Sequence, residues 1–314
     1  MDSIDFQSGG RNQHYGRILY WLAGCLTQQF PELTVNMKIG PAYQNLSAVG
    51  DGLAQVGIAT PGMMAALCYE GNGPFDRPRP ALRAIGVVPH RDALVFAIIH
   101  ELGVSSLEEL RERHVPVRLA AAADGSLVGR ASRSILALHG ITQESLERDG
   151  GQWIVTEGAQ ACWKLVAHGE ADAMINESIP QSFRPLSKAR PIRLLSFHED
   201  AARELQAEQG YRWRVVPAGT VYNQDQPVIG LDWQHWIVVA HADLPHEIAY
   251  SLADAFFREP VRLERQYTAD NRLAAEDVSM EAPMRPEAVA NEVCVPLHPG
   301  AEARYREAGV LSDG

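Results

Sequence analysis

The sequence contains no run of 18 or more apolar residues free of charge, so nothing in it reads as a membrane-spanning helix. Cysteine is sparse: Cys25, Cys68, Cys162 and Cys294 are scattered, with no Cys-x-x-Cys pair. That pattern suggests neither metal nor redox chemistry. Cys25, Cys68 and Cys162 stand in apolar, helix-like surroundings, where a thiol is expected as a small buried hydrophobe. Positive charge is also in deficit, with 28 Lys and Arg against 39 Asp and Glu and a net charge of -11. A phosphate backbone needs a basic field, so nucleic acid is excluded as a partner. The chain lacks a P-loop, a G-x-S-x-G elbow and a G-x-G-x-x-G loop, and the His246 to Tyr250 segment lacks the second His of a zinc-protease helix. Its 11 His residues show no metal-ligand spacing, so no metal and no cofactor is expected. Nor does Met1 leave room for a secretory leader before the first strand. The expectation is a cytoplasmic chain, or a mature periplasmic one whose Met1 follows a removed leader.

What is present is a length of 314 residues with 46% hydrophobic content, enough for two globular domains. One structural phrase is written twice, 117 residues apart: NLSAVGDGLAQVGIATP at 45–61 and CWKLVAHGEADAMINESIP at 162–180. Gly52 falls on Gly169, Ala54 on Ala171, Ile58 on Ile175 and Thr60 on Glu177. Upstream, IDFQSGG precedes HYGRILYW much as VRLAAAADGS precedes LVGRASRS. Alternating strands and helices imply βαβ units and a parallel sheet in each half. In the first half strands are expected at 3–7, 34–40 and 54–59, with helices at 15–30, 43–52 and 61–69. In the second, strands are expected at 115–123, 153–156 and 171–176, with helices at 127–139 and 159–168. The runs ALVFAIIH and PVIGLDWQHWIVVAH read as two crossings of a two-segment hinge. Residues 1–98 with 226–314 then form lobe I and 99–225 form lobe II. A later helix is expected to start with Asp243 as cap and Pro245 in its first turn.

Ligands of open α/β sheets bind beyond the carboxyl ends of the strands, which directs attention to three groups of residues. The first is the loop Ser8-Gly9-Gly10-Arg11 with His14 and Tyr15, where glycines admit a ligand to the backbone and a helix start offers N–H groups to an anion. Asp124-Gly125-Ser126 is its counterpart in the second half. The third group is Thr60 with Asn176 and Glu177, and Tyr43 at a helix start as an aromatic wall. Glu177 would repel an anion unless it faces away, pairs with Arg11 or Arg130, or meets an amine on the ligand.

Four segments resemble the TAXI family of solute receptors that serve TRAP-type transporters. They are the opening strand and Gly-loop with Tyr15, QNLSAVGDGLAQVGIATPGMMAA, GAQACWKLVAHGEADAMINESIP, and VPLHPGAEARYREAGV with its Pro296-Leu297-His298-Pro299-Gly300-Ala301 run. The resemblance implies an α/β fold of the two-lobed type II periplasmic binding protein kind, with two Rossmann-like βαβαβ lobes joined by a two-segment hinge. It further implies a monomer that takes a small carboxylate-bearing solute, an organic acid or amino acid, into an inter-lobe cleft and delivers it to TRAP permease subunits in the membrane. Thr60-Pro61, Asp124-Gly125-Ser126 and Arg11-Asn12-Gln13 depart from the family's ligand loops, which implies a different solute. The alternative is a cytoplasmic enzyme of the same fold, such as an aromatic-acid decarboxylase, with His14, Asp124 or Glu177 as acid or base.

Overall fold

The computed structural model describes residues 2–10, 14–157, 159–221, 224–259 and 285–311. The chain divides into two compact units, 1–91 with 234–314 and 92–233. In chain order the first unit contributes β1 (Ser3–Ser8), α1 (His14–Gln29), β2 (Thr34–Ile39), α2 (Ala42–Gly50), β3 (Val56–Ala59), α3 (Met64–Glu70) and β4 (Leu82–Val88). The second unit follows with β5 (Ala93–Ile99), α4 (Leu107–Glu112), β6 (Arg118–Ala122), α5 (Leu127–Leu138), α6 (Gln143–Arg148), β7 (Gln152–Thr156), α7 (Ala159–Ala167), β8 (Ala173–Glu177), α8 (Pro180–Ala189), β9 (Ile192–Leu195), α9 (Glu199–Gln209), β10 (Trp213–Val216) and β11 (Val228–Asp232). The chain then returns to the first unit with β12 (Trp236–His241), α10 (His246–Arg258), α11 (Pro286–Asn291) and α12 (Pro299–Glu307).

The first sheet has the order β2-β1-β3-β12-β4, and the second runs β10-β11-β5-β8-β6-β7 with β9 also paired to β5. Neither is purely parallel. Strands β1, β2 and β3 are parallel, but β12 runs antiparallel to both β3 and β4. In the second sheet β6, β7 and β8 are parallel while β5 runs against β8. The reason is the crossing point: the chain leaves the first sheet at the carboxyl end of β4, so each strand that begins at a crossing runs away from that edge. The division also falls earlier and later than the sequence suggests, because β5 pairs with β8, β9 and β11 and β11 pairs with β5 and β10. Hydrogen bonding, rather than hydrophobic pattern, decides which sheet a strand joins.

The duplication survives as geometry. Gly52 and Gly169 both take left-handed φ, 73° and 77°, where a side chain is disfavoured and glycine is the natural helix terminator. After each, two N–H groups return to one helix carbonyl: Leu53 and Ala54 to Ala48 at 2.8 and 3.2 Å, Glu170 and Ala171 to Leu165 at 2.8 and 3.1 Å. Each unit then buries its own apolar core. The first gathers Phe6, Ile18, Trp21, Leu22, Val238, Leu252 and Phe256, the second Val95, Ala97, Cys162, Met174, Phe183 and Leu186.

The His298-Pro299-Gly300-Ala301 run is a packing device. His298 caps α12 by accepting the Gly300 N–H at Nδ1, 3.2 Å. A Cβ on Gly300 would lie 2.2 Å from the His246 carbonyl oxygen, so glycine lets α12 sit directly on α10. The start of α10 differs from expectation: Pro245 occupies the cap position with no side-chain cap, and Asp243 lies before it. Among the described residues no helix is long and apolar enough to cross a membrane.

Candidate functional site

In the first unit β1, β2, β3 and β4 present their carboxyl ends at one edge. Ser8 ends β1 fully buried, and its hydroxyl turns to the Gly16 carbonyl at 3.4 Å. Gly9 and Gly10 follow, yet the glycine whose lack of a side chain matters sits inside the helix. A Cβ on Gly16 would lie 2.4 Å from the Gly10 carbonyl oxygen and 2.8 Å from that of Gly9. Gly16 therefore lets α1 settle onto the loop. Tyr15 packs partly buried against the first core. Arg11 lies outside the described residues; His14 opens α1, and its side chain is likewise outside them.

Tyr43 stands half-buried in the first turn of α2, where its hydroxyl accepts from the Gln44 amide at 3.2 Å. Thr60 follows β3, with a cis peptide to Pro61 and a buried Oγ1 that has no hydrogen-bond partner among the described residues. Beside it lie residues that sequence reasoning missed. His90, fully buried, stacks on Trp236 with ring centroids 3.4 Å apart. Its Nδ1 is 2.9 Å from the Val88 carbonyl, which can only accept, so Nδ1 carries the hydrogen. His235 adopts φ 61° and pairs through Nε2 with Glu292 at 2.9 Å. The one signal of these in the sequence is the Pro89-His90 break between two apolar runs.

In the second unit β6, β7, β8 and β11 end at a common edge, and β5 begins there. Gly129 repeats the role of Gly16, since its Cβ would lie 2.1 Å from the Ala123 carbonyl oxygen. Gly125, by contrast, would meet nothing within 4 Å. Ser126 is an ordinary cap: its hydroxyl donates to the Ala123 carbonyl at 2.8 Å and accepts the Gly129 N–H at 3.0 Å. Asp124 is an exposed carboxylate held by Arg133, and Arg130 donates to its carbonyl at 3.0 Å. Asn176 is fully buried and spends its Oδ1 on the Glu177 N–H at 2.9 Å.

Glu177 is the exception. It forms no ion pair with Arg130 or any other described residue. Burial and the neighbouring Asp92 carboxylate push its carboxyl up to about 8, against a smaller opposing effect from the Trp233 indole N–H. At neutral pH it is therefore mostly a neutral acid. Trp233 is buried and stacks on Tyr211, whose hydroxyl is raised to about 12 by burial.

The sequence profile of the NMT1-like family matches residues 20–309. The chain belongs to the NMT1-like family. No curated protein matches its sequence. Among solved structures, a periplasmic transporter is similar with a TM-score of 0.50 and 12% identity, over 98% of this chain and 96% of that one. PhnD1 from Prochlorococcus marinus (MIT 9301), solved in complex with methylphosphonate, is similar with a TM-score of 0.51 and 12% identity over 99% of each chain. These likenesses establish the fold of this NMT1-like chain as α/β, the two-lobed type II periplasmic binding protein fold.

Proposed function

We propose that this NMT1-like protein is a solute receptor, which captures a small acidic molecule and presents it to a membrane permease. The observation that carries the reading is the repeated seat of α1 and α5. In each unit a helix glycine brings the helix start down onto the loop that ends the first parallel strand, Gly16 over Gly10 and Gly129 over Ala123. Backbone N–H groups at a helix start favour an anion. Ser8, Gly9, Gly10, Arg11, His14, Tyr15, Tyr43 and Thr60 are the contacts proposed for the first unit, Asp124, Gly125, Ser126, Asn176 and Glu177 for the second. Gly125 has open space where a side chain would stand, and Thr60 keeps a hydroxyl without a partner among the described residues.

The resemblance of four segments to TAXI receptors supports a carboxylate solute, a TRAP-type permease as partner and an extracytoplasmic location. PhnD1 was solved with methylphosphonate, which makes phosphonates the competing class. Titration calorimetry of the purified chain against dicarboxylates, amino acids, aromatic acids, sulfonates and methylphosphonate tests the reading. Micromolar binding of a carboxylate supports it, methylphosphonate alone would replace the solute class, and no heat from any member overturns the receptor. In the decarboxylase reading His14, Asp124 or Glu177 is the acid or base; Glu177 has a carboxyl raised to about 8, and Asp124 is ion-paired to Arg133. Carbon dioxide release from a bound aromatic acid, lost in Glu177→Gln, would favour that reading.

A further inference from the structure

The segment between α11 and α12 is fixed to β4 at both ends. Val289 of α11 is fully buried against Gly86, where an added Cβ would lie 2.7 Å from the valine Cγ1. Beyond the segment, the Ala84 N–H donates to the Pro296 carbonyl at 2.9 Å and the His298 N–H to the Ala84 carbonyl at 2.8 Å. Between these anchors two side chains reach the loop that follows β3 and the residue that precedes β12. The Cys294 thiol donates to the Gly62 carbonyl at 3.1 Å, and Glu292 meets His235 Nε2 at 2.9 Å. An ionised carboxylate only accepts, so Nε2 carries the hydrogen. Gly62 and His235 are pressed together in turn: the Gly62 N–H donates to the Gln234 carbonyl at 3.1 Å, and a Cβ on Gly62 would lie 3.2 Å from that of His235. The Gly62 carbonyl also accepts the Ala65 N–H at 3.1 Å. His235 carries φ 61°, a left-handed backbone that is uncommon for a residue with a side chain and persists where the surroundings fix it. Thr60, two residues before Gly62, is the proposed solute contact.

We propose that Cys294 and Glu292 are positioning residues for Thr60, holding the loop 60–62 in its binding geometry from a segment anchored on β4. The assignment rests on the receptor reading, in which Thr60 meets the solute. Cys294 acts through the Gly62 carbonyl, and Glu292 acts through His235 and the neighbouring Gln234 backbone. The physical cause is preorganisation. A loop tied only at its ends samples several conformations, and ordering it when solute binds weakens affinity. Two side-chain ties from a separately anchored segment remove part of that ordering before the solute arrives. A thiol is a weak donor, so the Cys294 tie steadies the loop without dominating the stability of the unit.

Two measurements on the full chain test it. The first is hydrogen exchange of the Gly62 amide without solute, read by NMR. Cys294→Ala should speed it about tenfold, and Cys294→Ser, which keeps an O–H donor, should restore it. Glu292→Ala should speed it about threefold, while Glu292→Gln keeps an oxygen that accepts and should match the wild type. The Leu53 amide, bonded to the Ala48 carbonyl at 2.8 Å in the same unit, should not change. Unchanged Gly62 exchange in both alanine variants, or an equal rise at Leu53, overturns the assignment. The second is calorimetry with glutamate, succinate, benzoate and methylphosphonate as probes. For a probe that binds the wild type, Cys294→Ala should weaken affinity about fivefold at an unchanged urea midpoint, and by less than about twofold in the Thr60→Val background. A loss of equal size in both backgrounds also overturns it. If none of the four probes binds the wild type, the receptor reading fails for these solutes and the exchange result decides whether the segment holds the loop. Glu292 is exposed, so its two variants decide the matter should Cys294→Ala fold poorly.

Discussion

Gly16 and Gly129 do the same job 113 residues apart: each stands in the first turn of a helix, where a Cβ would collide with the carbonyl of the loop before it. The pairing follows Tyr15-Gly16-Arg17 onto Val128-Gly129-Arg130, so the duplicated halves share a helix seat as well as a helix terminator.

Substituting these glycines tests the seat. A Cβ on Gly129 would approach the Ala123 carbonyl oxygen to 2.1 Å, backbone against backbone, and nothing flexible can yield. Gly129→Ala and Gly16→Ala should each destabilise by about 1–3 kcal/mol in urea unfolding. Gly125→Ala is the contrast, since its Cβ meets nothing within 4 Å; it should be neutral or gain a few tenths of a kcal/mol, roughly, from lost chain entropy. Equal losses at Gly125 and Gly129 would show that the seat is not what these glycines provide.

Thr60 separates a binding role from a structural one. Its Oγ1 is buried with no partner among the described residues, so Thr60→Val removes an unsatisfied hydroxyl and should leave stability unchanged or raise it by about 1 kcal/mol. Solute affinity, read by calorimetry, should nevertheless fall about tenfold. Unaltered affinity would remove Thr60 from the site.

The acid limit of stability should carry a His139 contribution. His139 is buried, with Nδ1 donating to the Ile135 carbonyl at 2.8 Å and Nε2 accepting the His198 N–H at 2.9 Å. Burial, the largest cause, lowers its pKa, so the folded state binds fewer protons than the unfolded one near pH 6. The stability it contributes is present above the ordinary histidine value of 6.5 and is lost as pH falls below it. The urea midpoint should drop between pH 7.5 and 5.5, and by less in His139→Gln. Parallel drops in the two proteins would assign the acid sensitivity elsewhere.

Gly300→Ala tests the terminal motif. The added methyl would meet the His246 carbonyl oxygen at 2.2 Å and the Tyr250 nitrogen at 2.9 Å, forcing α12 off α10. A loss of about 2–4 kcal/mol is expected, against about 1 kcal/mol for His298→Ala, which removes a cap. If neither change moves the unfolding midpoint, the motif is not a packing device.

Much of the fold was legible because local rules wrote it. The helix terminators Gly52 and Gly169, the alternating strand and helix pattern, and the cap at Ser126 follow from residue chemistry within a few positions of the chain. The internal duplication, visible at an interval of 117 residues, predicted matched α/β halves without any knowledge of contacts. What the chain pattern could not show is pairing between distant segments. An apolar run such as ALVFAII has the same appearance in either sheet, and only hydrogen bonding to β8 and β11 assigns it to the second unit. The glycines of the loops looked permissive while the glycines of the helices did the seating, because close approach is a property of two segments together. Glu177 shows the division most plainly: sequence supplied a carboxyl at a strand end, and burial together with the Asp92 carboxylate, 85 positions away, pushed it up to about 8.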